Sequence, residues 1–199
     1  MGGFYAPLYK KNMTDIDAIM DTIDTVIETR EQEYLDNLLM KKGSIMTSTG
    51  KYINFTDINP DDICIEDISH ALSMQCRFGG HLPKFYSVAQ HSVLCSHLVS
   101  EPYELEALMH DASEAYMLDI PKPLKNLLPD YEALEETMMD VISKKYNISH
   151  PLDKQVKVVD ALMLRVEFKS IMMGADIFEV WSQEEAKRRF TERYIELTK

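Results

Sequence analysis

Two histidines and two aspartates, His91, His110, Asp111 and Asp160, carry the most chemistry in this chain. Imidazole nitrogens and carboxylate oxygens together suit a borderline or hard divalent cation, and four protein ligands leave coordination positions for water and a phosphate oxygen. Such a cation polarises a phosphoryl group and lowers the pKa of bound water, so no protein nucleophile is needed. The types therefore point to metal-assisted phosphoester hydrolysis.

The elements expected around them fit that chemistry. Leu105, Leu108, Met109 and Ala112 recur with a helical period, which predicts one buried helix over Pro102–Met117 carrying both His110 and Asp111. Glu114 falls three and four residues after them, on neighbouring helix surface. A carboxylate there can move a proton to or from the attacking water. The following loop returns Asp119 and Lys122 to the same end. Ser87 to Gln90 read as a capping box, placing His91 in the first full turn of its own helix. Asp160 sits among Val158, Val159, Ala161 and Leu162, where an ionised carboxylate is expected to need a cation partner.

On these residues the chain resembles the HD-domain metal-dependent phosphohydrolases, and within them the bacterial and phage 5'-deoxynucleotidases. The likeness runs from about Thr49 through Cys76–Ser92, Leu108–Glu136 and Val156–Glu167, with the HDASEAY run at its centre. It implies an all-α helical bundle, one divalent ion (manganese, cobalt, iron, magnesium or zinc) and hydrolysis of deoxynucleoside 5'-monophosphates to nucleoside and phosphate. By position it implies His91, His110, Asp111 and Asp160 as ligands, Glu114 and Asp119 as the proton-handling pair, and Arg77 as the phosphate-binding arginine. Where several relatives carry tryptophan after that arginine to crowd the sugar 2' position, this chain has Phe78. A dNTP triphosphohydrolase would use the same ligands, and a nucleotide-binding regulator would keep them while losing the acids.

The rest of the chain bounds the reading. Its 199 residues, 45% hydrophobic, suffice for one substantial core plus an appendage, expected as 1–43 and 44–199. A net charge of -12 argues against broad nucleic-acid binding, although a local patch from Arg77, His81 and Lys122 would serve a small nucleotide. Lys84 and Lys125 read as solvated loop lysines. Cys64, Cys76 and Cys95 form no CxxC pair and read as reduced and structural, and His70, His97 and His150 as structural histidines. No apolar run is long enough for a bilayer and no signal-peptide pattern opens the chain, so a cytoplasmic protein is expected, without membrane partners and as a homodimer or higher homo-oligomer.

The amphipathic stretch Thr14–Lys42 predicts an N-terminal helical extension. Ile45–Thr47 and Lys51–Phe55 predict a short β-hairpin about Ser48-Thr49-Gly50. Helices are then predicted from Asn59-Pro60 to Leu72, over Ser87–Val99, Asp130–Tyr146, Asp153–Met173 and Ser182–Thr198.

Overall fold

The computed structural model describes residues 16–20 and 43–199. Contacts divide the chain into Met1–Ser44 and Ile45–Lys199. In the first unit residues 16–20 are helical, with Ile16, Ile19 and Met20 exposed. The rest of the expected N-terminal helix lies outside the described residues.

The described chain is mostly helical with one small antiparallel sheet. Strands β1 (Ser44–Met46) and β2 (Tyr52–Asn54) form the expected hairpin. Its turn closes through Thr47 N–H to Lys51 O at 2.8 Å, with Gly50 at φ +80°, a left-handed position that glycine takes without a Cβ penalty. The eight α-helices that follow are α1 (Ile65–Met74), α2 (Val88–Ser96), α3 (Glu104–Met109), α4 (Glu114–Met117), α5 (Lys122–Lys125), α6 (Pro129–Tyr146), α7 (Lys154–Glu167) and α8 (Gln183–Leu197).

Helix α2 is the centre of the bundle, packed against α1, α3, α7 and α8. All of its residues except Leu94 are buried, and a helix enclosed on every side carries no charged face, as its sequence VAQHSVLCS shows. His91 is therefore held in the middle of the protein. Ser87 caps the helix as expected, accepting from Gln90 N–H at 3.1 Å. The Gln90 side chain does not complete the box. It donates to Glu179 O and accepts from Trp181 N–H, each at 2.8 Å, fastening the segment before α8 onto α2.

Two expected helices are each broken in two. Asn59 caps only a short 3-10 turn, Pro60–Asp62, and the backbone then extends at Ile63 and Cys64 so that Ile63 reaches the core before α1 begins. The single helix expected over Pro102–Met117 is α3 and α4, joined through a tight turn over residues 110–113. There Ala112 N–H bonds Met109 O and Glu114 N–H bonds Asp111 O, both at 3.0 Å, a three-residue spacing that winds the chain more tightly than an α-helix. His110 and Asp111 thus project from this turn. Helix α7 continues into one π-helical turn, Phe168–Met172, which together span the expected Asp153–Met173.

The hairpin is tied to α1 by Asp67, only 2% exposed. Its carboxylate accepts from Ser48 Oγ at 2.6 Å, Thr49 Oγ1 at 2.7 Å and Thr49 N–H at 2.9 Å. Burial alone would raise its pKa, but these donors overcome it and hold the group well below the usual carboxylate range. An Asp67→Ala variant is expected to lose about 1–3 kcal/mol, since it strands buried donors. Because the folded pKa is depressed, the stabilisation is present above about pH 4 and is lost as acid protonates the group. Thermal melts of both proteins from pH 7 down to pH 3 check this: the gap between them should narrow in acid, and a constant gap would remove the carboxylate from the argument.

Candidate metal centre

The four expected ligand residues converge from three places in the sequence. His91 Nε2 lies 3.2 Å from His110 Nε2, 3.2 Å from Asp160 Oδ1 and 3.6 Å from Asp111 Oδ2. His110 Nε2 lies 3.2 Å from Asp111 Oδ2 and 3.9 Å from Asp160 Oδ1. Ligands bound at typical distances around one tetrahedral ion stand about 3.4 Å apart. The cluster has that scale.

The far nitrogens decide which way the lone pairs face. His110 Nδ1 is 2.7 Å from Ala107 O, which can only accept, so Nδ1 carries the proton. His91 Nδ1 is 2.5 Å from Glu167 Oε1, a carboxylate that likewise fixes the proton on Nδ1. In the neutral rings both Nε2 lone pairs are therefore turned toward each other, an arrangement that calls for a shared cation. The donor set fits a divalent metal.

The titration behaviour has the same cause. Burial opposes protonation of both histidines, with the Arg77 charge adding to it at His91, yet the surrounding anionic groups raise both well above the ordinary imidazole value. Asp111 and Asp160 are held low despite burial, chiefly by the two histidines. One expectation about Asp160 is corrected: its side chain is 44% exposed, and Val158, Ala161 and Leu162 around it are exposed. It lies on the open face of α7, so the His91 contact, and not an apolar burial, accounts for it.

His91, Cys95 and His110 also form a buried group able to hold a metal ion. The Cys95 sulfur is 3.6 Å from His91 Nε2 and 3.9 Å from Nδ1. Nearly equal distances place it alongside the ring instead of along either lone pair. Sequence spacing of four residues on one helix was the available signal for this neighbour.

Glu167 was not anticipated from sequence. It is fully buried, bonds His91 Nδ1, accepts from Tyr86 Oη at 2.8 Å and sits 3.4 Å from Arg77 Nε. Burial pushes it toward protonation, and His91 and Arg77 reverse that. Asp160 and Glu167 are seven residues apart, two turns of α7, so one helix grips both nitrogens of the same imidazole. That interval was the legible signal. A Glu167→Gln variant is expected to bind metal about 10–100-fold more weakly, the usual consequence of removing the carboxylate behind a ligating histidine. Competition with a chelating dye measures it, and unchanged affinity would leave Glu167 a packing group only.

Arg77 is buried, 3.4 Å from Asp111 Oδ2 as well as beside Glu167. It follows α1 in a short turn with Phe78 at φ 57°, a left-handed conformation uncommon for an aromatic residue. Glu114 is buried, and burial followed by Asp111 and Asp119 raises its pKa well above normal. Asp119 is also raised, first by burial. Gln75 holds the two acids in register, donating to Glu114 O at 2.8 Å and accepting from Asp119 N–H at 3.0 Å. Between them Leu118 stands at φ 74°, ψ 149°, a region adopted almost solely by glycine. Tyr131 Oη lies 2.6 Å from Met117 O and 2.8 Å from Leu118 O, fastening this strained turn.

Three other expected substrate contacts are not gathered here. Phe78 lines a separate apolar groove with Leu164, Phe168 and Met173. His81 is exposed, and Lys122 is exposed with its ammonium 3.6 Å from Glu132. Lys84 is exposed, as expected of a surface lysine. Lys125 is not: its side chain is 12% exposed, bonded to Glu135 at 2.7 Å and 3.8 Å from Glu114. It is pulled inward because α5 packs on α6, which carries Glu135.

No protein-family profile matches the chain. It is 50% identical over 137 residues, 69% of its own length and 76% of the relative's, to the uncharacterized protein YfdR of Escherichia coli (strain K12). The chain belongs to the YfdR family. A second member of this similarity group, the uncharacterized protein RCAP_rcc00048 of Rhodobacter capsulatus, is 29% identical over 146 residues, 66% of this chain and 74% of that one. Among the described residues no helix is long and apolar enough to cross a membrane.

Proposed function

We propose that this chain is a metal-dependent phosphohydrolase of the HD-domain type, acting on nucleoside 5'-monophosphates with a preference for the deoxy form. The observation that carries the reading is the pair of imidazole Nε2 lone pairs facing each other 3.2 Å apart, with Asp111 and Asp160 oxygens beside them. In this reading His91, His110, Asp111 and Asp160 hold one divalent ion. When bound, the ion supplies Lewis acidity toward the phosphate and lowers the pKa of the attacking water.

The remaining steps belong to the protein. Arg77 places a fixed positive charge beside Asp111, where phosphate charge grows as water adds to phosphorus. Glu114 accepts the proton from that water. Asp119, raised by burial, donates a proton to the departing 5' oxygen as the P–O bond breaks, and the two acids can exchange these roles. The products are a nucleoside and inorganic phosphate. Presence of both acids sets the reading apart from a nucleotide-binding regulator without turnover.

The test is to strip the protein of metal and restore manganese, cobalt or magnesium. It is then incubated with ribo- and deoxyribonucleoside mono- and triphosphates while the released phosphorus species are identified. Orthophosphate from deoxynucleoside monophosphates is the expected result. Release of triphosphate would make it a triphosphohydrolase, and no release with any metal would leave a binding protein.

A further inference from the structure

Helix α7 is covered on one side only. Val156, Val159, Met163 and Glu167 are buried, while Lys154, Val158, Ala161 and Arg165, at helical spacing along the opposite side, are exposed. Val158, Leu162 and Leu164 are 58%, 49% and 46% exposed. The apolar surface runs on into two grooves, one of about 280 Å³ beside Leu98 and Val158 and one of about 440 Å³ beside Leu164 and Phe168. An exposed apolar strip of this kind marks a contact surface.

Its charge says what fits it. Lys154, Lys157, Arg165 and Lys169 are all exposed, and among the described residues none of them has an acidic partner within ion-pair distance. The arginines of α8 differ, since Arg188, Arg189 and Arg193 each meet a glutamate. Unanswered cations among apolar side chains, on a chain of net charge -12, suit an acidic partner that is itself apolar.

The chain carries that chemistry near its start. Between residues 14 and 40 eight acidic residues stand against one basic residue, Arg30, and Ile16, Met20, Ile23 and Ile27 recur at helical spacing. Residues 16–20 are helical, with Ile16, Ile19 and Met20 as exposed as the apolar residues of α7. We propose that the α7 face seats residues 14–40 of a second copy, exchanged reciprocally across a two-fold axis. One such pair covers both apolar faces of each copy and sets opposite charges together at both contacts. Pairing α7 with α7 would instead set cation against cation. The inference goes beyond the phosphohydrolase reading and does not depend on it.

Sedimentation of the full-length chain tests it through two charge reversals. Lys154→Glu with Arg165→Glu reverses α7, and Asp17→Lys with Asp24→Lys reverses the N-terminal stretch. The parent is expected to be a dimer whose dissociation constant rises with salt. Each reversal should weaken the dimer about tenfold or more, since every contact turns from attraction to repulsion. An equimolar mixture of the two reversed proteins should recover it, because in the mixed pair each contact again joins opposite charges. Should circular dichroism show that one reversed chain does not fold, the chain carrying all four substitutions decides, and must dimerise like the parent. A monomeric parent, reversals without effect, or folded reversed proteins that do not recover on mixing overturn the proposal. A mixture of the parent with the α7-reversed chain that pairs more tightly than either alone would set α7 against α7, and overturns it too.

Discussion

Replacing Asp160 by alanine is expected to reduce bound metal to trace and abolish turnover while the helical spectrum stays unchanged. The effect is large because Asp160 is the contribution of α7 to the cluster, 3.2 Å from His91 Nε2, whereas Glu167 on the same helix meets the opposite nitrogen, Nδ1. Its side chain is half-exposed, so truncation opens no sealed cavity and removes little packing. Loss of the carboxylate also leaves the two facing imidazoles with one fewer anion to balance a cation. Elemental analysis of the purified variant, paired with circular dichroism, reads both effects. Stoichiometric metal with normal turnover would exclude Asp160 as a ligand. Wild-type metal without turnover would move it to the reaction itself.

Glu114→Gln is expected to retain metal and fold yet lose a hundredfold or more in kcat, roughly the contribution of a positioned general acid or base. Glutamine preserves the shape of the side chain, and the backbone carbonyl that anchors residue 114 to Gln75 is untouched. Burial already disfavours the charged carboxylate at this position, so a neutral amide of nearly the same size should not disturb packing. What it cannot do is accept a proton. The fall should appear in kcat with little change in KM, since the group acts on the water and not on the phosphate. A rate within a fewfold of the parent would reduce Glu114 to a support for the turn that carries Asp111.

The sequence by itself determined much of this. The helices α2, α6, α7 and α8 were legible within a few residues, α2 through the Ser87 cap at its start and not through an apolar face, since it is enclosed on every side. The hairpin was legible in Ser48-Thr49-Gly50, where glycine answers a left-handed backbone. The residue types of the cluster were legible as well, since imidazoles and carboxylates together make a donor set for a divalent cation.

Periodicity was weaker over short elements. It merged α3 with α4 because a 3-10 turn shifts the apolar repeat by only a fraction of a turn, although that turn is what sets His110 and Asp111. It also could not see that Ile63 would pull the backbone extended ahead of α1.

Only the tertiary structure decided the supporting shell. Glu167 meets His91 across 76 residues of sequence, and Gln75 holds Glu114 and Asp119 from 39 and 44 residues away. Lys125 becomes a cavity wall because α5 folds onto α6, and Phe78 is carried to another groove by a left-handed turn. The physical reason is common to all of them. A sequence pattern states which face of an element is apolar, but the partner of a buried polar group is fixed by which faces meet, and that is settled only when the helices pack.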